Sequence, residues 1–498
     1  MPLRANLRRW SVILTPTAAL LAACTDAPTR IAGPTSSAAV RTSLSPASGI
    51  PTGKSVVIFK DTSSIPLAGL ALLNSVGGTV TKRWDNIGVA FVSGLSVSAL
   101  ATLSASTLIE SVGNDRILNW LPRVTTAGAI QGDVAAVPQN DPANATYYKS
   151  GVQWSMRVIQ ADKAWAAGMQ GRPSTRVAII DTGIDYGHRE IRTLVDLAAS
   201  ESFANLIVGV ADGVPSVSAP IEPQLPGDSA FMDNHFHGTH VASTVASNNI
   251  SVASIAPDIT LIAVKVLSMT GSGSFESVAS GIRHAAGAAN ADVINMSLGA
   301  EVEPGEEGVP ALLELMRRVI KDAEKEGTIV ISAAGNSGLN LDVGTVVATP
   351  CEQSTICVSA TGPLLQQNFD QPATYTNYGI TAIEVAAPGG NATDNDSTYQ
   401  TEDLVIGACS RRASEPGLAP CRVSTDGVVY FYAYAAGTSM ASPHVAGQAA
   451  MIKSYSPTLS VNGLRAKILG TADDIGVKGR DVYSNYGRIN VARALGLK

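Results

Sequence analysis

The sequence predicts an α/β fold, a mostly parallel sheet with helices on both faces, preceded by a small α+β domain. Three observations carry this. From residue 175 onward, short apolar runs alternate with helical stretches, as in strands buried on both faces and joined by crossover helices. Two of these runs end in polar turns, and open α/β sheets present their reactive side chains at strand C-termini. Upstream, residues 54–121 read strand, helix, strand, strand, helix, strand.

Composition supports this and excludes other classes. The 498 residues allow two or three domains and at least one large core. The chain is 45% apolar and 15% charged, which is globular rather than disordered. Aromatics make up only 5%, which suits close-packed helix-on-sheet layers better than a carbohydrate-binding or base-stacking surface. The net charge is −6, and no long basic run follows the first ten residues, so nucleic acid is not an expected partner.

Taken in order, the chain opens with a targeting segment, residues 1–23. Arg4, Arg8 and Arg9 form a basic start, and Val12 to Ala23 an apolar run interrupted by Pro16, too short to span a bilayer. Leu21-Ala22-Ala23-Cys24 resembles a bacterial lipobox. That resemblance implies acylation of the Cys24 thiol, cleavage before it, and a membrane link only through this lipid. An ordinary signal peptide with an incidental cysteine is the alternative. Either way the chain is expected to be exported. Residues 24–53, rich in Ser, Thr, Pro, Ala and Gly, read as a tether.

In 54–121 the strands are Ser55–Phe59, Gly78–Thr81, Val89–Val92 and Leu108–Val112; the helices are Leu67–Val76 and Leu95–Leu103. Residues 122–150 read as a polar connector containing Asn140-Asp141-Pro142. The main domain, 151–498, has strands at Arg176–Ile180, Leu261–Val266, Asp292–Met296, Thr328–Ser332, Ile356–Ser359 and Ile383–Val385. Pro310–Glu326 is an amphipathic helix. Residues 391–428 read as a polar inserted loop, and no further domain is expected after Gly487-Arg488-Ile489-Asn490. Of the five cysteines, Cys24 belongs to the targeting segment. The other four imply two disulfides with three possible pairings; the sequence-near pairs Cys351–Cys357 and Cys409–Cys421 are expected. No Cys-x-x-Cys spacing supports a metal instead.

Four segments carry chemistry. Val177-Ala178-Ile179-Ile180-Asp181 is an apolar strand that delivers a carboxylate at its end; Asp185 is a nearby competitor. His235-Phe236-His237-Gly238-Thr239-His240 concentrates histidines, but it has no acidic ligand within it and no His-Glu-x-x-His, so it does not read as a zinc site. Ile329 to Ala334 is a second apolar run, ending in Gly335-Asn336-Ser337-Gly338. Gly437-Thr438-Ser439-Met440-Ala441-Ser442-Pro443-His444 places a serine between a glycine turn and an amphipathic helix, where Thr438 or Ser439 is a natural N-cap. A hydroxyl there lies among unsatisfied N–H groups at the positive end of the helix dipole, a setting that stabilises an oxyanion. Pro443 reads as lying near the end of the first turn.

Together these segments resemble the motifs of the subtilisin-like serine proteases, the subtilases. The resemblance implies Asp181, His237 and Ser439 as a catalytic triad in that chain order, with Asn336 and the Ser439 N–H as the oxyanion hole. It implies that Ser297-Leu298-Gly299 pairs with substrate backbone and, with Ala333-Ala334-Gly335, walls the S1 pocket. Those small walls suit an apolar or aromatic P1 side chain, whereas Glu352 beside the pocket would favour a basic one; both remain open. An α/β-hydrolase would show Gly-x-Ser-x-Gly, but Ala441 stands where the last glycine belongs. Ser243 stands where the family usually has glycine.

The expected function is an exported serine endopeptidase, acting on protein or peptide substrates as a monomer. Its rate should rise as His237 loses its proton, near the ordinary imidazole value of about 6.5. Residues 54–121 resemble the inhibitory propeptide of subtilases, to be cut from the enzyme within 122–150. If Cys24 is lipidated, that cut leaves the anchor with the propeptide and frees the enzyme unless the two parts remain bound. No cofactor is needed for the chemistry. The resemblance leaves room for structural calcium, with Asp141 and Glu190 as weak candidate ligands and Asp394 and Asp396 as another cluster, each of which reads equally as a solvated acid. The alternatives are an inactive scaffold used for surface binding and an esterase with the same triad.

Overall fold

The structure is a computed structural model, which describes residues 49–121, 124–131, 137–204, 207–211, 214–218, 227–393, 399–413, 421 and 430–498. The targeting segment, Cys24, nearly all of the tether, Asp394 and Asp396 lie outside the described residues.

The N-terminal part contains β1 (Ile50–Phe59), α1 (Leu67–Ser75), β2 (Thr79–Trp84), β3 (Val89–Ser93), α2 (Val97–Ser104) and β4 (Ile109–Asn119). Ser96 starts α2, its side chain accepting the Ala99 N–H. The strands lie in the order β4-β1-β3-β2, with β1 antiparallel to both neighbours. Side chains alternate across β1. Val57 and Phe59 pack with Leu73 and Leu103 of the two helices, and Val56 and Ile58 face the other way.

Next come β5 (Thr125–Gln131), three short helices α3 (Thr146–Lys149), α4 (Ser155–Val158) and α5 (Ala161–Ala166), β6 (Arg176–Asp181), β7 (Glu201–Ser202), the hairpin β8 (Ile207–Ala211) and β9 (Val214–Ser218), and α6 (His237–Val245). They are followed by β10 (Thr260–Lys265), β11 (Ser272–Ser274), α7 (Phe275–Ala286), β12 (Val293–Met296), β13 (Ala300–Val302), α8 (Val309–Lys325), β14 (Ile329–Ala333), β15 (Val347–Thr349), β16 (Ile356–Thr361) and β17 (Val385–Pro388). The chain closes with β18 (Val405–Ala408), β19 (Tyr430–Ala436), α9 (Thr438–Tyr455), α10 (Val461–Gly470) and α11 (Val491–Ala494).

The central sheet is seven-stranded, in the order β17-β16-β14-β12-β6-β10-β7, and every pairing in it is parallel. Six of its strands read as apolar runs because both faces are covered; the seventh, β7, is the short polar edge Glu201-Ser202. Val177 and Ile179 of β6 join one core with α6 and α9, while Ala178 and Ile180 join a second core with α7 and α8. That second core also takes in Val56, Ile58 and Phe91, so the small sheet stacks on α7 and α8. Each such fully buried side chain contributes about 1.5–3 kcal/mol. Charges rim this contact. Lys54 and Lys82 both reach Glu276, at 2.6 and 3.0 Å, and Arg318 of α8 pairs with Glu110.

Three expectations change. The connector is not wholly irregular, since β5 pairs with β19. The inserted loop contains a buried strand, β18, which makes a three-stranded sheet β18-β19-β5. β19 itself escaped notice because its small and aromatic residues do not read as a plain apolar run. Tyr432 and Tyr434 fill one cluster while Ala433 and Ala435 pack on the central core. Helix α9 is not amphipathic. Every residue from Thr438 to Ile452 is buried, since the helix runs through the middle of the domain against β12, β14, β16 and α6.

The cysteines pair as Cys351–Cys357 and Cys409–Cys421, with Cα–Cα distances of 4.9 and 5.7 Å. Among the described residues no helix is long and apolar enough to cross a membrane.

Candidate active site

Parallel pairing brings the strand C-termini to one end of the sheet, where the candidate residues lie. β6 ends at Asp181, which is fully buried. Its two oxygens lie 2.9 and 3.0 Å from Nδ1 of His237, the first residue of α6. The close approach of α6 to β6 requires glycine after that histidine. A Cβ on Gly238 would lie 2.1 Å from the Gly183 carbonyl oxygen and 3.2 Å from the Asp181 carboxylate. Nε2 of His237 is buried with no hydrogen-bond partner among the described residues.

Asp233, which the sequence reading missed, sets this geometry. One carboxylate oxygen accepts the Thr182 hydroxyl and the N–H groups of His235 and Phe236; the other accepts the N–H and hydroxyl of Thr239. Asp233 therefore caps the first turn of α6 and ties it to the end of β6. Phe236 has φ 148°, a conformation costing of the order of 1–3 kcal/mol. The Asp233 bonds on either side of that peptide hold it there. The sequence alone does not mark it, because its partners Thr182 and Thr239 are 51 residues before and 6 residues after it.

The other histidine of the motif, His240, is fully buried beneath β18 and β19, its Nε2 3.2 Å from the carbonyls of Val405 and Ala433. Burial pushes its pKa down to about 4, so it stays neutral. The family's usual glycine is replaced usefully at Ser243, whose hydroxyl accepts the Ala408 N–H and so docks β18. Asp185 is not a rival to Asp181. Burial alone would raise its pKa, but the Arg411 side chain, 2.6 and 2.8 Å away, holds it below the usual carboxylate range.

Ser439 is the second residue of α9, which packs against α6. The N-cap is Gly437, with no side-chain cap bond, so neither Thr438 nor Ser439 caps the helix. Thr438 is used otherwise. Its N–H and hydroxyl both donate to Oδ1 of Asn336, at 2.8 and 2.7 Å, and its hydroxyl accepts the Gly335 N–H. Because a backbone N–H can only donate, these bonds fix which end of the Asn336 amide is oxygen. The nitrogen end then faces Gly437: a Cβ there would stand 3.0 Å from Nδ2.

Pro443 lies in the second turn, later than the sequence suggested, where its missing N–H leaves the Ser439 carbonyl without its helical donor. The Ser297 hydroxyl supplies the bond, at 2.7 Å, and in return the Ser439 hydroxyl donates to the Ser297 carbonyl at 3.0 Å. Asn295 and Ser442 hold the Ser297 hydroxyl in place.

Ser297, Leu298 and Gly299 continue from β12, and Ala333, Ala334 and Gly335 lead out of β14, the next strand. A Cβ on Gly299 would lie 3.3 Å from the Thr349 carbonyl and 4.0 Å from that of Ala333, so the two segments face one another. Of the acids, Glu352 turns back to accept the Ala348 N–H at 2.7 Å, and burial pushes its carboxyl up. The acid against the wall is instead Glu301. Its Oε1 would stand 3.1 Å from a Cβ on Gly335, and it accepts from Asn377 and Ser337.

The calcium candidates fit poorly. Glu190 is fully buried, and its oxygens accept the N–H groups of Ile250, Ser251 and Val252 and the Tyr432 hydroxyl, at 2.7–3.3 Å. A calcium ligand shell needs oxygens pointing inward, not N–H donors. Burial raises the Glu190 carboxyl, opposed by these donors. Asp141 caps a short turn through the Ala143 N–H. Among the described residues no three His, Cys, Asp or Glu cluster as a metal site.

Comparison with known proteins shows the family. Residues 173–494 match the model of the subtilase family. The chain is 33% identical to subtilisin DY of Bacillus licheniformis over 345 residues, 69% of this chain and 98% of that protein. It is 32% identical to subtilisin E of Bacillus subtilis over 70% of this chain and 72% of that protein. Among solved structures it resembles the epidermin leader peptide processing serine protease of Staphylococcus aureus, with a TM-score of 0.64, 19% identity, and 89% of this chain and 97% of that one covered. The likeness at that identity is one of fold. The chain thus belongs to the subtilase family, as a serine endopeptidase of the subtilisin type.

Proposed function

We propose that this chain is an exported endopeptidase that cuts protein or peptide substrates through an acyl-enzyme, made as a zymogen inhibited by its own residues 54–121. The contact of His237 Nδ1 with both oxygens of Asp181 carries this reading. It holds Nε2 as the free, proton-accepting nitrogen, on a helix packed against the one that bears Ser439.

Rotation about its Cα–Cβ bond takes the Ser439 hydroxyl from the Ser297 carbonyl toward His237. The hydroxyl attacks the scissile carbonyl as Nε2 takes its proton, and Asp181 stabilises the imidazolium. Charge growing on the carbonyl oxygen is met by Nδ2 of Asn336 and by the Ser439 N–H, which has no acceptor within the helix. The imidazolium then protonates the leaving amine, and water releases the acyl group. Substrate backbone lies as an added strand between residues 271–273 and 297–299. Glu301 beside Gly335 favours basic side chains at that pocket.

Export rests on the targeting segment, and the anchor on a lipid at Cys24; cutting between propeptide and enzyme frees a monomeric enzyme. No metal takes part in the chemistry. The test is casein hydrolysis by the processed enzyme. It should be lost with Ser439→Ala, and short acyl esters should not be the better substrate. Uncut Ser439→Ala protein should stay with the membrane fraction.

A further inference from the structure

Asn336 sits in a turn that needs outside support. Gly335 and Gly338, on either side of it, have φ of 101° and 62°, the left-handed region that glycine enters at no steric cost and from which it also departs easily. A donor aimed at a developing charge works only when held within about 0.5 Å of its place. Thr438 of α9 grips the Asn336 amide oxygen from one side.

The opposite side is held by Asn377, which is fully buried. Its Oδ1 accepts the N–H groups of Ser337 and Leu339, at 3.1 and 2.9 Å. Its Nδ2 donates to the Ala334 carbonyl and to Oε1 of Glu301, both at 2.9 Å. Two backbone N–H donors fix which end of this amide is oxygen, and all four of its hydrogen-bonding positions are used. The Asn377 N–H also donates to the Gly335 carbonyl at 3.0 Å. The fit is close, since a Cβ on Gly335 would lie 2.4 Å from Nδ2 of Asn377. The residues before and after Asn336 are thus tied to one side chain. Glu301 completes the frame, its Oε2 accepting the Ser337 hydroxyl at 2.9 Å.

Other bonds join the same two segments without that side chain. The Gly338 N–H donates to the Tyr375 carbonyl, the Tyr378 N–H to that of Leu339, and the Leu341 N–H to that of Tyr378, at 2.8–2.9 Å. These keep the turn in place when the Asn377 amide is removed. What the amide adds is the exact course of the backbone on both sides of Asn336.

We propose that Asn377 is the positioning residue of the oxyanion hole, setting where Nδ2 of Asn336 stands while its own amide is spent on protein groups. This rests on Asn336 being the oxyanion donor beside Ser439. Without the Asn377 amide, the N–H groups of Ser337 and Leu339 lose their acceptor and the turn relaxes. The Asn336 donor then points away from the place where charge grows, so the loss falls on kcat and not on KM.

The test is a double-mutant cycle on the processed enzyme: wild type, Asn377→Ala, Asn336→Ala and the pair. Rates on a peptide substrate are taken per active site titrated with a fluorophosphonate, so misfolded protein is not counted. Asn377→Ala should lower kcat about tenfold or more, with KM changed less than about twofold. In the Asn336→Ala background the same change should cost less than about twofold in kcat, because the donor it positions is gone. Asn377→Ser, which keeps a small polar side chain, goes through the same cycle and should show the same non-additivity. An equal loss in both backgrounds, an unchanged kcat, or a rise in KM alone overturns the positioning role. Asn336→Ala with kcat intact overturns instead the oxyanion reading on which it rests.

Discussion

Ser297 and Ser439 exchange hydrogen bonds, the hydroxyl of each donating to the carbonyl of the other. The exchange exists because Pro443 cannot donate to the Ser439 carbonyl four residues earlier. Removing the Ser297 hydroxyl leaves that buried carbonyl unsatisfied. Ser297→Ala should therefore cost about 1–3 kcal/mol of stability. Pro443→Ala restores an N–H at the right place, so the double variant should lose less than the sum of the two single losses. Denaturant unfolding of the four proteins, each carrying Ser439→Ala to prevent autolysis, measures this coupling; additive losses would contradict it.

Asn336 is held by its oxygen, which leaves its nitrogen to face Gly437. Asn336→Ala should lower kcat by roughly 10²–10³ with KM little changed, because the lost bond forms in the transition state. Steady-state kinetics on a peptide substrate separates the two constants. A rise in KM with kcat intact would place Asn336 in ground-state binding.

Docking of the N-terminal domain should depend on pH. Asp115 of β4 is fully buried at that contact and accepts the Thr52 hydroxyl and the Glu276 N–H. Burial first, then the neighbouring Glu276 carboxylate, raises its pKa to about 7. Once the fragment leaves, Asp115 is solvated and returns to about 3.9. The neutral form therefore belongs to the docked state. Its contribution is full below about pH 4 and is lost as pH rises to about 7. The cut fragment should bind tens-fold more weakly at pH 8 than at pH 5, and Asp115→Asn should flatten that dependence. Inhibition of the mature enzyme by added fragment across this range reads it out.

Glu190 should act as a metal-free staple. If so, the melting temperatures of Ser439→Ala and Ser439→Ala/Glu190→Gln differ by the same amount in excess calcium and in excess EDTA. A calcium-dependent rise present in the first and absent in the second would show that Glu190 binds the ion after all.

The parallel sheet was legible because six of its strands are apolar on both faces, while the polar edge strand β7 gave no signal, and Asp181 could be placed because it ends such a run. Ser439 and His237 were legible through the resemblance of their motifs to those of subtilases; the structure adds a steric reason for the neighbouring glycines, since a Cβ on Gly238 or Gly437 would strike a neighbour. What stayed hidden depends on contacts distant in sequence. Asp233 is an ordinary acid until Thr182, 51 residues earlier, donates to it. Glu301 gains its place only when β13 pairs with β15, and β5 has no pattern of its own until β19 lies beside it.

The most direct measurement is labelling of the processed enzyme by a fluorophosphonate probe, with the modified residue located by mass spectrometry. We expect Ser439 to carry the label in the wild type and to lose it, together with peptide cleavage, in His237→Ala. Peptide cleavage undiminished by Ser439→Ala, or a label on another serine, would contradict the assignment of these side chains to one catalytic site.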